Sequence, residues 1–175
     1  MVCYAFIKID GIPGESCWDD EHQGWIDVLS YSHSVSQPFS ATVSSSGDAT
    51  TERVNFGRFN ITKFPDKATP EIFEACCTGK HIKEVIFEVC RTLGDGKRHK
   101  YLEIRMEQVL IADHSHAFNE KGDKDSHLPV ERVAFSPGRF KIIYHQQEFK
   151  DGTVTLTESF GAGWDSIAHE SIGHT

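Results

Sequence analysis

From Tyr101 to Ala112 the sequence falls into two interleaved sets. Leu102, Ile104, Met106, Gln108, Leu110 and Ala112 alternate with Tyr101, Glu103, Arg105, Glu107, Val109 and Ile111. Successive side chains of a strand point to opposite faces, so a period of two sustained this long calls for a β-strand. The same period recurs at Cys3, Ala5, Ile7 and Ile9, over residues 25–36, and at Val85, Phe87 and Val89. Further strands are predicted over 53–63, 130–135, 140–145 and 154–160, with a short piece at Trp164. In the 53–63 strand the apolar face changes between Phe56 and Phe59, which predicts a bulge at Gly57. Gly94-Asp95-Gly96-Lys97 reads as a hairpin turn. Pro137 lacks a ladder donor, so Pro137-Gly138 predicts an interruption, with a bulge or an edge position.

One helix is predicted at about 70–78. Thr69 is placed to cap it, Pro70 suits the first helical position, and Glu71 complements the positive end of the dipole. Ile72, Phe73, Cys76 and Cys77 form its apolar stripe, and Gly79 is placed to end it. Residues 38–51 are rich in Ser, Thr and Ala with no core period, which predicts a long extended loop. About eight strands, one short helix and mostly turn-sized connections give a mainly β fold, an antiparallel barrel or sandwich. At 175 residues the chain has room for one domain of ordinary size.

Composition removes several function classes. The net charge of −8 implies no basic face and so no nucleic-acid partner. No apolar run approaches the length that spans a bilayer, so no membrane insertion is expected. Ten histidines against −8 would bring the fully protonated chain to +2, which makes solubility pH-sensitive. The five cysteines are irregularly spaced, and Cys76 and Cys77 are adjacent. That pattern fits a reducing cytoplasm and neither a disulfide framework nor a zinc site. The N-terminus lacks the basic and long apolar regions of a signal peptide, so any export is expected to bypass that route.

Catalytic signals are sparse. His114 and His116, with His127 nearby, are read as exposed histidines on a polar loop over 113–128, with no ligand set strong enough to assign a metal. Asp123 and Asp125 lack the rest of a calcium loop. No GxSxG elbow is present. Cys76 and Cys77 read as small buried hydrophobes and Cys17 as an exposed thiol. No catalytic residue, cofactor or metal is assigned, and no enzyme activity is expected. Ser30, Ser32 and Ser34 share one face of the 25–36 strand. Buried hydroxyls would need partners, and the charges of an ordinary solvated face are missing.

Several segments in order resemble one family. Phe6-Ile7-Lys8-Ile9 with Gly14-Glu15-Ser16 is similar to its opening. Ile26-Asp27-Val28-Leu29-Ser30-Tyr31-Ser32 with Ser36-Gln37 is similar to its next strand. Asp66-Lys67-Ala68-Thr69-Pro70 and Ala75-Cys76-Cys77-Thr78-Gly79-Lys80 resemble the two ends of its single helix. Tyr101-Leu102-Glu103-Ile104 through Val109-Leu110-Ile111 resembles its central strand, and Gly163-Trp164-Asp165 its close. The family is that of the haemolysin-coregulated proteins, Hcp, of bacterial type VI secretion systems.

The resemblance implies a β-barrel subunit that closes into homohexameric rings. Rings stack into an inner tube, capped by the spike protein VgrG and surrounded by a contractile sheath, and carry small effector proteins in the lumen. It implies a protein made in the cytoplasm and secreted through that system. On this reading residues 1–166 are the tube domain and 167–175 a C-terminal tail without counterpart. Ser30, Ser32 and Ser34 would line the lumen, where small neutral side chains let different cargo pass. The loop over 38–51, through Ser40, Val43, Ser45, Gly47 and Thr50, would reach the adjacent ring. The alternative is a monomeric β-barrel that binds a small ligand.

Overall fold

The computed structural model describes residues 3–38, 53–93, 97–118, 128–150 and 153–173. Among them are eleven strands and one helix. In chain order these are β1 Cys3–Ile9, β2 Ile26–Val28, β3 Ser30–Ser32, β4 Val35–Ser36, β5 Asn55–Phe56, β6 Phe59–Lys63, α1 Thr69–Thr78, β7 Ile82–Thr92, β8 Arg98–Ala117, β9 Val130–Lys150, β10 Thr153–Asp165 and β11 Glu170–Ile172. The main sheet runs β11-β10-β9-β8-β7-β1-β2, with β6 on β9 and β3 on β6, and β4 and β5 form a small separate sheet. Every paired ladder is antiparallel.

The strand expected over 25–36 is broken into three. Its first piece, β2, pairs with β1, and its second, β3, pairs with β6. Between them the Leu29 N–H donates to the Thr62 carbonyl at 2.8 Å. This short stretch therefore carries the chain from one end of the sheet to the other. The hydrogen-bonded path stays open, but the sheet wraps around one core in the manner of a barrel. Ile26, Ile7, Phe87 and Ile104 lie side by side across β2, β1, β7 and β8, and all are buried. Phe59, Phe135 and Ile111 form a second buried row across β6, β9 and β8. The Phe59 and Phe87 rings meet edge to face at 5.1 Å and join the two rows.

The long strands keep the expected alternation but change its phase. On β8 the buried apolar positions are Ile104 and Met106, then Val109 and Ile111. The step of three falls at Gln108, whose φ of 52° is rare for a non-glycine residue. Neighbouring strands step in the same place, from Ile82 to Val85 on β7 and from Pro137 to Phe140 on β9. The pairs Glu107↔Arg139 and Val109↔Pro137 keep one register across it. The expected interruption at Pro137 is therefore absent, and β9 runs through it. The residue tolerates this position because it lies between the β6 ladder, which ends at Phe135, and the β10 ladder, which starts at Arg139. A missing N–H there removes no bond to a second neighbour. Ser166 covers this interval, its N–H donating to the Gly138 carbonyl at 2.9 Å.

A second phase change follows at Ala112. Ile111 pairs with Phe135 and Asp113 with Ala134, so Ala112 is an extra residue, a β-bulge. Gly57 also differs from expectation. It separates β5 from β6, and a Cβ there would stand 2.7 Å from the Ser34 carbonyl oxygen. The loop expected over 38–51 lies, from residue 39 on, outside the described residues, and so do Gly94, Asp95 and Gly96. Within the tail expected over 167–175, Glu170–Ile172 pairs with Gly163, Trp164 and Asp165.

Helix α1 begins at Thr69, the residue expected to cap it. Ala68 is the N-cap and offers no side chain, so Thr69 is already helical. Asp66 takes over the capping role: its carboxylate accepts the Ala68 N–H at 3.0 Å, and its own N–H donates to the Thr69 hydroxyl at 3.0 Å. Gly79 ends the helix at φ 64°, as expected. Of the expected stripe only Ile72 is fully buried, with Ala75 beside it. Cys76 is half-buried, while Cys77 and Phe73 are exposed. Replacing Ile72 by Ala is expected to cost about 2–5 kcal/mol in chemical denaturation. Replacing Phe73 by Ala should cost less than about 1 kcal/mol, because it leaves no buried cavity.

Candidate functional site

Strands β3, β6, β9 and β8 lie next to one another, and their outward face is polar. One row across them is Ser30, Thr62, Arg132 and Ser115; the next is Ser32, Asn60, Ala134 and Asp113. These residues border a shallow hollow of about 480 Å³. The face is made of small hydroxyl and amide groups, with one cation and one anion. Alternation dictates the composition, since the opposite faces of the same strands carry Ile61 and Val133, both buried. Ser30 and Ser32 are exposed, as the lumen reading requires of them. Ser34 is exposed beyond the end of β3, and its carbonyl accepts the Gly57 N–H at 2.9 Å. Ser40, Val43, Ser45, Gly47 and Thr50 lie outside the described residues.

The histidines expected on a polar loop are not on one. Strand β8 continues to Ala117, and the bulge at Ala112 turns His114 inward, where its side chain is 1% exposed. Sequence reasoning missed Glu131, which β9 places directly across from His116. No local signal connects the two positions. His127, Asp123 and Asp125 lie outside the described residues.

The chain was compared with known proteins. The family model "Type VI secretion system effector, Hcp" matches residues 6–144. The chain belongs to the Hcp family. It is 36% identical over 155 residues to protein hcp1 of Pseudomonas aeruginosa, covering 87% of this chain and 91% of that one. Its fold is similar to the crystal structure of Hcp1 from Salmonella typhimurium, with a TM-score of 0.70, 26% identity, and coverage of 98% of this chain and all of that one. It is also similar in fold to a structure described as a type six secretion system protein, with a TM-score of 0.83 at 21% identity, covering 98% and 100% of the two chains. Hcp is the family of the secreted structural tube protein of type VI secretion systems. Among the described residues no helix is long and apolar enough to cross a membrane.

A second surface is set by the Hcp sheet itself. Beyond the barrel the sheet is extended by a wing of β9 and β10, which stays paired to β8 as far as Leu102↔Tyr144 and is two-stranded only past it. The cross-strand rows that begin inside the core run on into it: Ile104 leads to Ile142, and Leu102 to Tyr144 and then Phe160. Among the described residues nothing covers them out on the wing, and Ile142, Tyr144 and Phe160 are 41%, 43% and 53% exposed. Next to Ile142, a hollow of about 360 Å³ is lined by His33, Val35, Phe56, Phe140 and Trp164. A contiguous apolar patch of this kind marks a protein–protein contact.

Away from both surfaces, His22 pins the loop before β2 to β7. Its Nδ1 lies 2.8 Å from Asp19 and its Nε2 3.1 Å from Glu88, and its ring stacks on Phe6 at 4.2 Å. Burial works against the charged imidazole, but the Cys90 sulfur and the Glu88 and Asp19 carboxylates outweigh it, and the His22 pKa is raised to about 10. Glu88 also accepts Lys100 at 2.9 Å. A folded-state pKa above the unfolded value near 6.5 gives a contribution that is complete below pH 6.5. That contribution is lost as pH rises toward about 10. The urea midpoint is therefore expected to fall between neutral pH and pH 10, and an H22N variant should lose most of that slope. A midpoint independent of pH over this window would contradict the charged His22.

Proposed function

We propose that the chain is a subunit of the type VI inner tube that closes into homohexameric rings, stacks ring on ring, and carries small effector proteins in the ring lumen. The observation that carries this reading is the uncovered wing. Ile142, Tyr144 and Phe160 extend core rows past the end of the core, so a neighbouring copy would complete what the subunit alone leaves open. The polar rows through Ser30 and Ser32 lie on a different part of the sheet and suit the lumen, because short neutral side chains offer little grip to passing cargo. Ring stacking is assigned to residues 38–51, and export to sheath contraction behind the spike protein VgrG. The small-ligand alternative is disfavoured by a described barrel interior filled with Phe59, Phe87, Phe135 and Met106, all fully buried.

Purified protein is expected to elute far above 19.7 kDa and to show six-fold rings by electron microscopy. A double variant, Tyr144→Asp with Phe160→Asp, should give a folded monomer with an unchanged circular dichroism spectrum. Ser32→Lys should keep the ring but lower effector levels in the secreting cell. A wild-type protein that is a monodisperse monomer at micromolar concentration would overturn the assembly, and effector levels unchanged by Ser32→Lys would overturn the lumen assignment.

A further inference from the structure

The inward face of the sheet is apolar along most of its length and ionic at one end. There Lys63, Glu131 and His116 form one cross-strand row on β6, β9 and β8, with His114 in the row before it. Lys63 is fully buried, and its ammonium donates to the Phe64 carbonyl at 2.8 Å, Asp66 Oδ1 at 2.8 Å and Glu131 Oε2 at 3.0 Å. Those three bonds use all its protons. Glu131 is equally buried, yet its Oε1 has no hydrogen-bond partner. His114, 1% exposed, has no hydrogen bond at either ring nitrogen. Leaving such groups unpaired is costly, and in a folded protein each calls for a reason.

The distances supply one. His114 Nε2 stands 3.6 Å from Glu131 Oε2, and His116 Nδ1 stands 3.5 Å from Glu131 Oε1. Both exceed the usual hydrogen-bond range. Each contact, made to a different oxygen of Glu131, is close to the ligand–ligand spacing of roughly 3.4 Å around an ion with Zn–N and Zn–O bonds of about 2.1 Å. One ligand atom from each of the three residues can be chosen so that all lie within 4.8 Å of one another. We propose that His114, His116 and Glu131 form a binding site for a divalent ion of the zinc class, with water in the fourth position.

The surroundings fit that chemistry. Two imidazoles with one carboxylate favour a borderline d-block ion over calcium or magnesium. Lys63 donates to Glu131 Oε2 and fixes the orientation of the carboxylate, as outer-shell partners of metal ligands do. His116, with its side chain half exposed, gives the ion a way in. A bound ion would tie β8 to β9 beside α1, whose Phe73 ring lies 6.4 Å from that of His114. The other cluster of potential ligands, His22, Glu88 and Cys90, is already joined by its own hydrogen bonds and by Lys100.

The test uses the full chain, stripped with a chelator, dialysed, and titrated at neutral pH with zinc chloride in a calorimeter. Cobalt(II) serves as a second, spectroscopic probe. One zinc per chain is expected, with a raised Tm and the visible absorption of four-coordinate cobalt. H116A, chosen because His116 is half exposed and should fold, is expected to weaken zinc binding by about tenfold or more and to abolish the Tm shift. H114A should do the same, and H81A, at an exposed histidine, should change neither. No stoichiometric zinc uptake by the wild type would overturn the proposal. So would uptake that H116A leaves unchanged, which would place the ion elsewhere, with the His22 cluster as the next position to test.

Discussion

The ladder between β8 and β9 is the frame on which the rest of the molecule is built. It runs from Leu102↔Tyr144 to Ala117↔Val130. Strand β7 continues the sheet from β8, while β9 supports β6 with its first half and β10 with its second. The first part of β9 closes the core against β8, and its far part projects with β10 as the wing. The interior and the uncovered patch at Ile142, Tyr144 and Phe160 therefore have one origin, a single set of cross-strand rows that outruns its own cover.

Two local distortions decide which side chains those rows contain. The step at Gln108, matched on β7 and β9, lets Met106 and Val109 both face inward without a slip in register. The bulge at Ala112 then sends His114 inward and Asp113 outward. Without the bulge, Asp113 would stand across from Val133 on the inward face, and His114 would fall on the outward face across from Arg132. The polar face and the ionic end of the core are thus opposite sides of the same residue insertion. Serine, threonine and asparagine suit the first because nothing packs over them. Lysine can occupy the second because the Phe64 carbonyl, Asp66 and Glu131 accept all three of its protons.

The apolar wing and the polar face also divide the labour expected of an Hcp subunit. Association needs a surface that water leaves readily, whereas a passage for varied cargo needs one that holds nothing tightly. The sheet provides both without separate elements, because alternation places unlike side chains on its two faces and the wing exposes a face that the barrel hides.

Much of this was legible in the sequence because it is local. Period-two alternation located the long strands, Pro70 and Gly79 bracketed the helix, and the ordered segments from Phe6 to Trp164 carried the family. Exposure of Ser30 and Ser32 followed from their lack of possible buried partners. The phase of the alternation was not legible, since it depends on a backbone angle at Gln108 and an extra residue at Ala112 that register with neighbouring strands enforces. Nor was the surplus face of α1: helical spacing allowed Phe73 or Ala75 to face the core, and only the position of β8 chose Ala75. The meeting of Lys63, Glu131, His114 and His116 was furthest from reach. Those residues come from three strands, and a sequence read along the chain contains no term for the distance across a sheet. Residue pattern determined that this chain would make an antiparallel β fold with one short helix. Tertiary structure alone decided which faces turn inward and which charges are buried together, because both are set by contacts between strands distant in the chain.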